Sequence, residues 1–75
     1  MHIFNQRLKF IMKQRGITQK QLATALDMDR STISNWWRGT CLPTVNRLVD
    51  LADYLDVTTD YLLGRDINGI QSKHK

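Results

Sequence analysis

Residues 18–38 read TQKQLATALDMDRSTISNWWR, and this stretch decides the fold of the chain. Thr18, followed three residues later by Gln21, forms a capping-box pattern that predicts the start of a helix. The triplet Asp-Met-Asp at residues 27–29 interrupts the helical pattern, and a second helix is predicted over residues 30–38. The stretch therefore predicts two short helices joined by a tight turn.

The second of these helices is predicted to have two distinct faces. Ile33, Trp36 and Trp37 share its apolar side, and Asp29, just before it, is a good N-terminal cap. The opposite side has only polar residues at helical spacing. These are Arg30, Ser31, Ser34, Asn35 and Arg38. Because the apolar side must pack into a core, we expect the polar side to face outward.

Apolar residues at helical spacing predict three further helices. The first spans about residues 3–15 and ends at Gly16. Its stripe consists of Phe4, Leu8, Ile11 and Met12. The fourth begins at Pro43–Thr44, and the fifth is a short helix near residues 60–63 with Thr58 as its cap. The fourth has a broad stripe of Val45, Leu48, Val49, Leu51, Ala52 and Leu55.

Length and composition are those of one small domain. The chain has 75 residues, and a domain of this size has few apolar residues beyond those that its core requires. We expect an all-α domain of five short helices over residues 1–64, and a polar, mobile tail over residues 65–75. The single cysteine, Cys41, and the lack of a long apolar run predict a protein of a reducing cytoplasm.

The net charge of +4 is unevenly distributed along the chain. Residues 1–40 contain seven Lys and Arg residues against two Asp residues, which leaves +5, whereas residues 41–75 have a net charge of −1. A basic excess on the half that contains the two-helix unit suits a partner rich in phosphates. Charge alone also fits an ordinary solvated surface.

The outward face of the third helix has the chemistry needed to read double-stranded DNA. A helix fits the major groove, where base edges present distinguishable donors and acceptors. Arg30 can donate two hydrogen bonds to a guanine, and Asn35 can pair with an adenine. Ser31 and Ser34 are short donors and acceptors that allow close approach. We predict base reading by these four residues, and a merely solvated helix face is the alternative.

Other residues are candidates for contact with DNA phosphates. The helix that starts after Thr18 has free backbone N–H groups at its N-terminus, where anions bind, and Gln19 and Lys20 add a polar and a cationic side chain. Arg38 and Thr40, at the far end of the third helix, are placed to hold a second stretch of backbone. Such contacts fix the position and orientation of the protein on the duplex but do not select a base sequence. Thr18 is also a candidate for phosphate contact, and a role as a helix cap only is the alternative.

The series of motifs resembles that of a known family. It comprises Thr18–Gln19, Leu22–Ala23, Ser31–Ser34, Trp36, Arg38–Gly39, Leu42–Pro43, Leu51–Ala52 and Leu62–Gly64. Over about residues 4–64 it resembles the Cro/C1-type helix-turn-helix family of XRE-like phage repressors and bacterial regulators. The resemblance implies a lambda-repressor-like fold and a dimer on a pseudo-palindromic operator. It also implies phosphate contact by Gln19 and base reading by Arg30, Ser31 and Asn35.

Two departures from the family pattern concern packing. The turn residue, often glycine in the family, is Asp27 here, and aspartate tolerates positive φ better than most residues. The family often pairs an arginine late in the first helix with a glutamate after the tryptophan, and these positions are Met12 and Trp37 here. We expect a buried Met12–Trp37 contact in place of the ion pair. A half-exposed Trp37 near DNA is the alternative.

The leading hypothesis is a cytoplasmic transcriptional repressor, bacterial or phage-encoded, and other classes have less support. His2, Cys41 and His74 do not have the spacing of a metal site, and no catalytic constellation is visible, so we expect neither a cofactor nor an enzyme.

The second hypothesis is a protein-interaction module, such as an antitoxin that binds a toxin through the fifth helix or the tail. Candidates for the dimer surface are Tyr54, Tyr61, Leu62, Ile67 and Ile70.

Overall fold

The computed structural model describes residues 3–65, and this range contains five α-helices and no strand. The helices are α1 (Ile3–Arg15), α2 (Gln19–Leu26), α3 (Arg30–Arg38), α4 (Val45–Leu55) and α5 (Thr59–Leu63). The predicted all-α class and the order of five helices are confirmed. No helix within the described range is long and apolar enough to cross a membrane. The predicted tail, apart from Arg65, lies outside the described residues.

One apolar core holds the five helices together. The predicted stripe of α1 is buried at every position, and α3 contributes Ile33 and Trp36, which are 0% and 2% exposed. The buried apolar residues are Phe4, Leu8, Ile11, Met12, Leu22, Ala23, Ile33, Trp36, Leu51, Ala52, Leu55 and Leu62. α1 packs against α3, α4 and α5, while α2 packs against α3 and α4.

Three apolar residues do not lie where the sequence pattern predicts. Val45 is 76% exposed and Val49 is 44% exposed, so the predicted broad stripe of α4 is wrong at these two positions. The buried residues of α4 all lie in its second half, which leaves its first turns at the edge of the core. Leu62, expected at a dimer surface, is fully buried in the core and cannot contribute to such a surface.

Of the other residues expected at the dimer surface, Tyr54 is exposed and Tyr61 is partly buried, whereas Ile67 and Ile70 lie outside the described residues. The same holds for His2 and His74.

Threonine side chains cap the N-termini of three helices. The capping box at Thr18 is confirmed, because its hydroxyl accepts from the Gln21 N–H while the Gln21 side chain accepts from the Thr18 N–H. The hydroxyls of Thr44 and Thr58 accept backbone N–H groups in the same way. Asp29 occupies the N-cap position of α3, but its side chain makes no capping hydrogen bond. The expected side-chain cap is therefore wrong, and the backbone carbonyl alone begins the helix.

Arginine side chains bind the carbonyl groups at the C-terminal ends of three helices. Arg15 Nε donates to the Leu55 carbonyl at the end of α4, over 2.9 Å. Arg47 Nη1 donates to the Leu26 carbonyl at the end of α2, over 3.2 Å. These carbonyls have no donor within their own helix, and a cation there complements the helix dipole.

Arg7 makes the third contact, because its Nη1 donates over 3.0 Å to the Tyr61 carbonyl of α5, which also accepts the Gly64 N–H. Its guanidinium also lies 4.6 Å from the centre of the Tyr61 ring. Arg7 and Arg15 both belong to the basic excess that the sequence suggests for a phosphate partner. Their contacts show that part of this charge stabilises the fold instead.

We expect Arg15→Gln to lower the free energy of unfolding by about 1 kcal/mol, because the charge-assisted bond to the Leu55 carbonyl is lost. Lys13→Gln is the matched control, since it removes the same charge from an exposed site on the same helix. It should change stability by less than about 0.5 kcal/mol. Urea denaturation measures both, and equal losses would show that the carbonyl contact contributes nothing.

Candidate nucleic-acid interface

The turn between α2 and α3 is built on a left-handed residue. Asp27 has φ 56° and ψ 53°, and its N–H bonds to the carbonyls of Ala23 and Thr24. The Met28 N–H bonds to the Ala23 carbonyl over 2.9 Å, and the Met28 side chain packs against the core. This is the arrangement that glycine usually provides, and aspartate adopts it at a modest cost. The prediction for Asp27 is confirmed.

The polar face of α3 is accessible to solvent. Arg30, Ser31 and Arg38 are exposed, and Ser34 and Asn35 are partly buried. Arg30 and Ser31 lie in the first turn of α3, directly after the tight turn, whereas Asn35 and Arg38 lie toward its C-terminal end. The face therefore offers two separate sets of polar groups, one at each end of the helix.

A hydrogen bond joins the start of α2 to the middle of α3. The Ser34 hydroxyl donates to Gln19 Oε1 over 2.7 Å. This bond occupies the oxygen of the Gln19 amide, so the amide nitrogen is the group left to donate to an anion. Ser34 thus orients Gln19, a role that the sequence analysis, which placed Ser34 among the base-reading residues, did not predict. The pairing depends on the angle between α2 and α3, which spacing along the chain does not reveal.

A second hydrogen bond links two polar residues at the C-terminal end of α3. Arg38 Nη2 donates to Asn35 Oδ1 over 2.5 Å, and the Thr40 hydroxyl donates to the Asn35 carbonyl over 3.1 Å. In this conformation Arg38 occupies one lone pair of Asn35 Oδ1. Pairing with an adenine uses the same oxygen as the acceptor, so Arg38 competes with the base for it.

The N-terminus of α2 combines open backbone donors with a cation. Thr18 is held in the capping box, which satisfies the Gln21 N–H, and the Leu22 N–H bonds to the Thr18 carbonyl. The N–H groups of Gln19 and Lys20 have no acceptor within the helix, because the first N–H groups of any α-helix lack one. Because the Lys20 side chain is exposed, this helix end has the groups that bind an anion.

Two residues of α1 contact Trp37 of α3. Asn5 Nδ2 donates to the Trp37 carbonyl over 3.2 Å, and Lys9 Nζ lies 5.7 Å from the centre of the Trp37 ring. Asn5 is fully buried. The sequence does not predict this contact, because a single asparagine beside an apolar stripe looks like any polar surface residue. Met12 is buried as expected, whereas Trp37 packs against the core but is only partly buried. The expectation that Trp37 lies inside the protein is therefore met only in part.

Gly39 ends α3 and allows α1 to approach closely. Its φ is +81°, and a Cβ atom added there would lie 3.0 Å from Asn5 Cγ and 3.1 Å from both polar atoms of the Asn5 amide. Gly16, which follows α1, has a similar φ of +68° but open space around the Cβ position. Gly39 thus meets two requirements, the left-handed backbone and contact with the buried amide.

No group of three His, Cys, Asp or Glu residues within residues 3–65 is arranged to hold an ion, and Cys41 is an exposed free thiol.

Comparisons with known proteins agree on one family. A family model described as helix-turn-helix matches residues 8–62. The chain is 38% identical over 61 residues to the HTH-type transcriptional regulator ImmR of Bacillus subtilis (strain 168), a match that covers 81% of this chain and 48% of that protein. It is 35% identical over 60 residues to the HTH-type transcriptional activator BcrR of Enterococcus faecalis, which covers 80% of this chain and 29% of that protein.

Two further comparisons bear on length and fold. The uncharacterized HTH-type transcriptional regulator YazB of Bacillus subtilis (strain 168) is 33% identical over 60 residues, which are 80% of this chain and 87% of that protein. A crystal structure of a transcriptional regulator from Listeria innocua superposes with a TM-score of 0.77 at 24% identity, over 96% of this chain and 64% of that chain, and shows the shared fold. The chain thus spans about half or less of ImmR and BcrR, and most of YazB.

We expect Gly39→Ala to be more destabilising than Gly16→Ala. Both substitutions force an alanine into the left-handed region, at a cost of about 1–2 kcal/mol. Only Gly39→Ala also presses a methyl group against the Asn5 amide, which adds about 1–3 kcal/mol. Urea denaturation of the two variants isolates the contact, and equal losses of stability would show that the Asn5 amide yields freely.

Proposed function

This chain belongs to the Cro/C1-type helix-turn-helix family of transcriptional regulators, and we propose that it binds double-stranded DNA sequence-specifically, with α3 in the major groove. The observation that carries the proposal is the polar, accessible face of α3, which is presented by a confirmed tight turn while Ile33 and Trp36 are buried behind it. We assign this function to a domain of residues 1–64. The family is a class of DNA-binding regulators, and we infer no enzymatic activity.

Base reading is assigned to Arg30, Ser31 and Asn35, with Ser34 as a close neighbour. Arg30 and Ser31 are exposed in the first turn of α3, the part of a recognition helix that enters the groove most deeply. Arginine donates two hydrogen bonds to guanine O6 and N7. Asn35 donates through Nδ2 to a guanine or thymine acceptor while Arg38 holds its oxygen, or pairs with adenine once Arg38 is released.

Phosphate contacts are assigned to the two ends of the α2–α3 unit. Gln19, oriented by Ser34, and Lys20 bind one phosphate together with the open N–H groups of α2, where Thr18 caps the helix. Arg38 and Thr40 bind a second phosphate beyond the end of α3. Binding by Arg38 would release Asn35 Oδ1, so the phosphate contact and the base contact at this end are coupled.

We further propose that the protein acts in the cytoplasm as a repressor and binds a pseudo-palindromic operator as a dimer. Repression is the outcome that occupancy of an operator produces by itself, because it needs no added contact with another protein. A dimer doubles the short interface that one nine-residue helix offers. The antitoxin hypothesis has less support, because α5 exposes Leu63 but buries Leu62, and residues 66–75 lie outside the described range.

Selection of bound duplexes from a random pool, followed by sequencing, tests this function. We expect an enriched consensus with two-fold symmetry and half-sites about one helical turn apart. A consensus without symmetry would retain DNA recognition and remove the dimer. No enrichment at all would remove the proposed function. A reporter gene placed behind the selected site then gives the sign of regulation, and we expect lower expression.

Arg30→Ala should weaken binding to the selected site by about 1–3 kcal/mol and relax the preference at one base position. The physical reason is the loss of paired donors to a base edge. Lys20→Ala is the matched comparison, since it should weaken binding to all sequences alike and reduce the salt slope by about 0.9. If Arg30→Ala lowers affinity uniformly over sequences, Arg30 contacts the phosphate backbone and not a base.

A further inference from the structure

Asn5 combines full burial with an incomplete set of hydrogen bonds. It is the one polar residue that is fully buried within residues 3–65. Its Nδ2 group donates to the Trp37 carbonyl, while its Oδ1 atom has no hydrogen-bond partner. A buried acceptor without a partner lowers stability, and an apolar side chain of similar size would avoid this cost. This cost offsets what the bond to the Trp37 carbonyl contributes, so the net gain in stability from this asparagine is small.

The hydrogen bond from Asn5 to the Trp37 carbonyl lies at the C-terminal end of α3, and this position indicates the role of Asn5. The last carbonyls of a helix have no donor within that helix. At the end of α3 the Gly39 N–H bonds to the carbonyls of Asn35 and Trp36, and Asn5 of α1 supplies the donor for Trp37. The bond therefore ties the last turn of α3 to α1, across 32 residues of sequence.

The two ends of α3 are held by different contacts. At its N-terminal end the tight turn is closed by the bond from the Met28 N–H to the Ala23 carbonyl, and the Ser34–Gln19 bond holds the middle of the helix against α2. None of these contacts reaches the last turn, where Asn35 and Arg38 lie. That turn is held by the burial of Trp36 in the core and, from α1, by the Asn5 bond and by Lys9 over the Trp37 ring.

We propose that Asn5 is a positioning residue for DNA recognition. By tethering the Trp37 carbonyl, it holds the C-terminal half of α3, with Asn35 and Arg38, at the angle at which these side chains reach the groove and the adjacent phosphate. Asn5 itself is buried and touches no DNA. Gly39 leaves the space that this contact needs, because a side chain there would displace the Asn5 amide. This inference rests on the proposed function.

The test compares stability with discrimination between DNA sequences. Asn5→Leu removes the donor and the unpaired oxygen while keeping a side chain of similar size. We measure its urea midpoint, and its affinities for the selected duplex and for an unrelated duplex at one salt concentration. We expect a lowered urea midpoint, because the Trp37 carbonyl loses its donor, and a small fall in affinity for the unrelated duplex, because Arg38 shifts at its phosphate. The affinity for the selected duplex should fall further, so that the ratio of the two affinities drops about tenfold, the size of one lost base contact.

Ile11→Val is the matched control, because it trims a buried residue of the same helix, 5% exposed, that has no hydrogen bond to α3. It should lower the urea midpoint and leave the ratio of affinities unchanged. A purely structural role for Asn5 predicts the same pattern for Asn5→Leu. An unchanged ratio in Asn5→Leu would overturn the inference.

Asn5→Ala provides a second variant if leucine prevents folding, and the same fall in the ratio is expected. If neither variant folds, Asn5 is required for the fold itself and the inference is wrong. A wild-type protein that does not discriminate between the duplexes would overturn the proposed function and this inference with it. Discrimination by both wild type and variant would overturn only the inference.

Discussion

Burial of Ile33 and Trp36 holds α3 in the domain and sets which of its faces meets solvent. A helix of nine residues is too short to be stable alone in water, so α3 exists because its apolar face is packed. Burying each of these side chains contributes about 1.5–3 kcal/mol. Because the apolar face is committed to the core, the opposite face must point outward, and the polar groups of α3 are accessible for that reason.

The core sets which face of α3 points outward, and polar contacts set its angle. The left-handed turn at Asp27 and the Ser34–Gln19 bond fix α3 against α2, while Asn5 ties its last turn to α1. Charges are divided between the fold and the surface in a similar way. Arg15 binds the carbonyl end of another helix, whereas Arg30 and Lys20 remain exposed to solvent. A count of charges along the chain does not distinguish these two uses.

Features that depend on neighbours in the chain were predictable, and features that depend on the assembled fold were not. The helix bounds, the capping box at Thr18 and the turn at Asp27 follow from residues within a few positions of each other. The Asn5 and Ser34 contacts join different helices, so no local pattern predicts them. Val45 is a similar case. Periodicity predicts which side of α4 is apolar, but not how much of that side is buried by the other helices. The base and phosphate contacts stay predictions.

We propose that one surface, formed by α3 and the start of α2, meets DNA. Amide chemical-shift mapping of the labelled protein during titration with its selected duplex tests this most directly. We predict the largest changes at Gln19, Lys20, Arg30, Ser31 and Asn35, with little change along α5. Changes centred on the exposed apolar residues Val45 and Val49, with α3 unaffected, would show that DNA binds to a different surface.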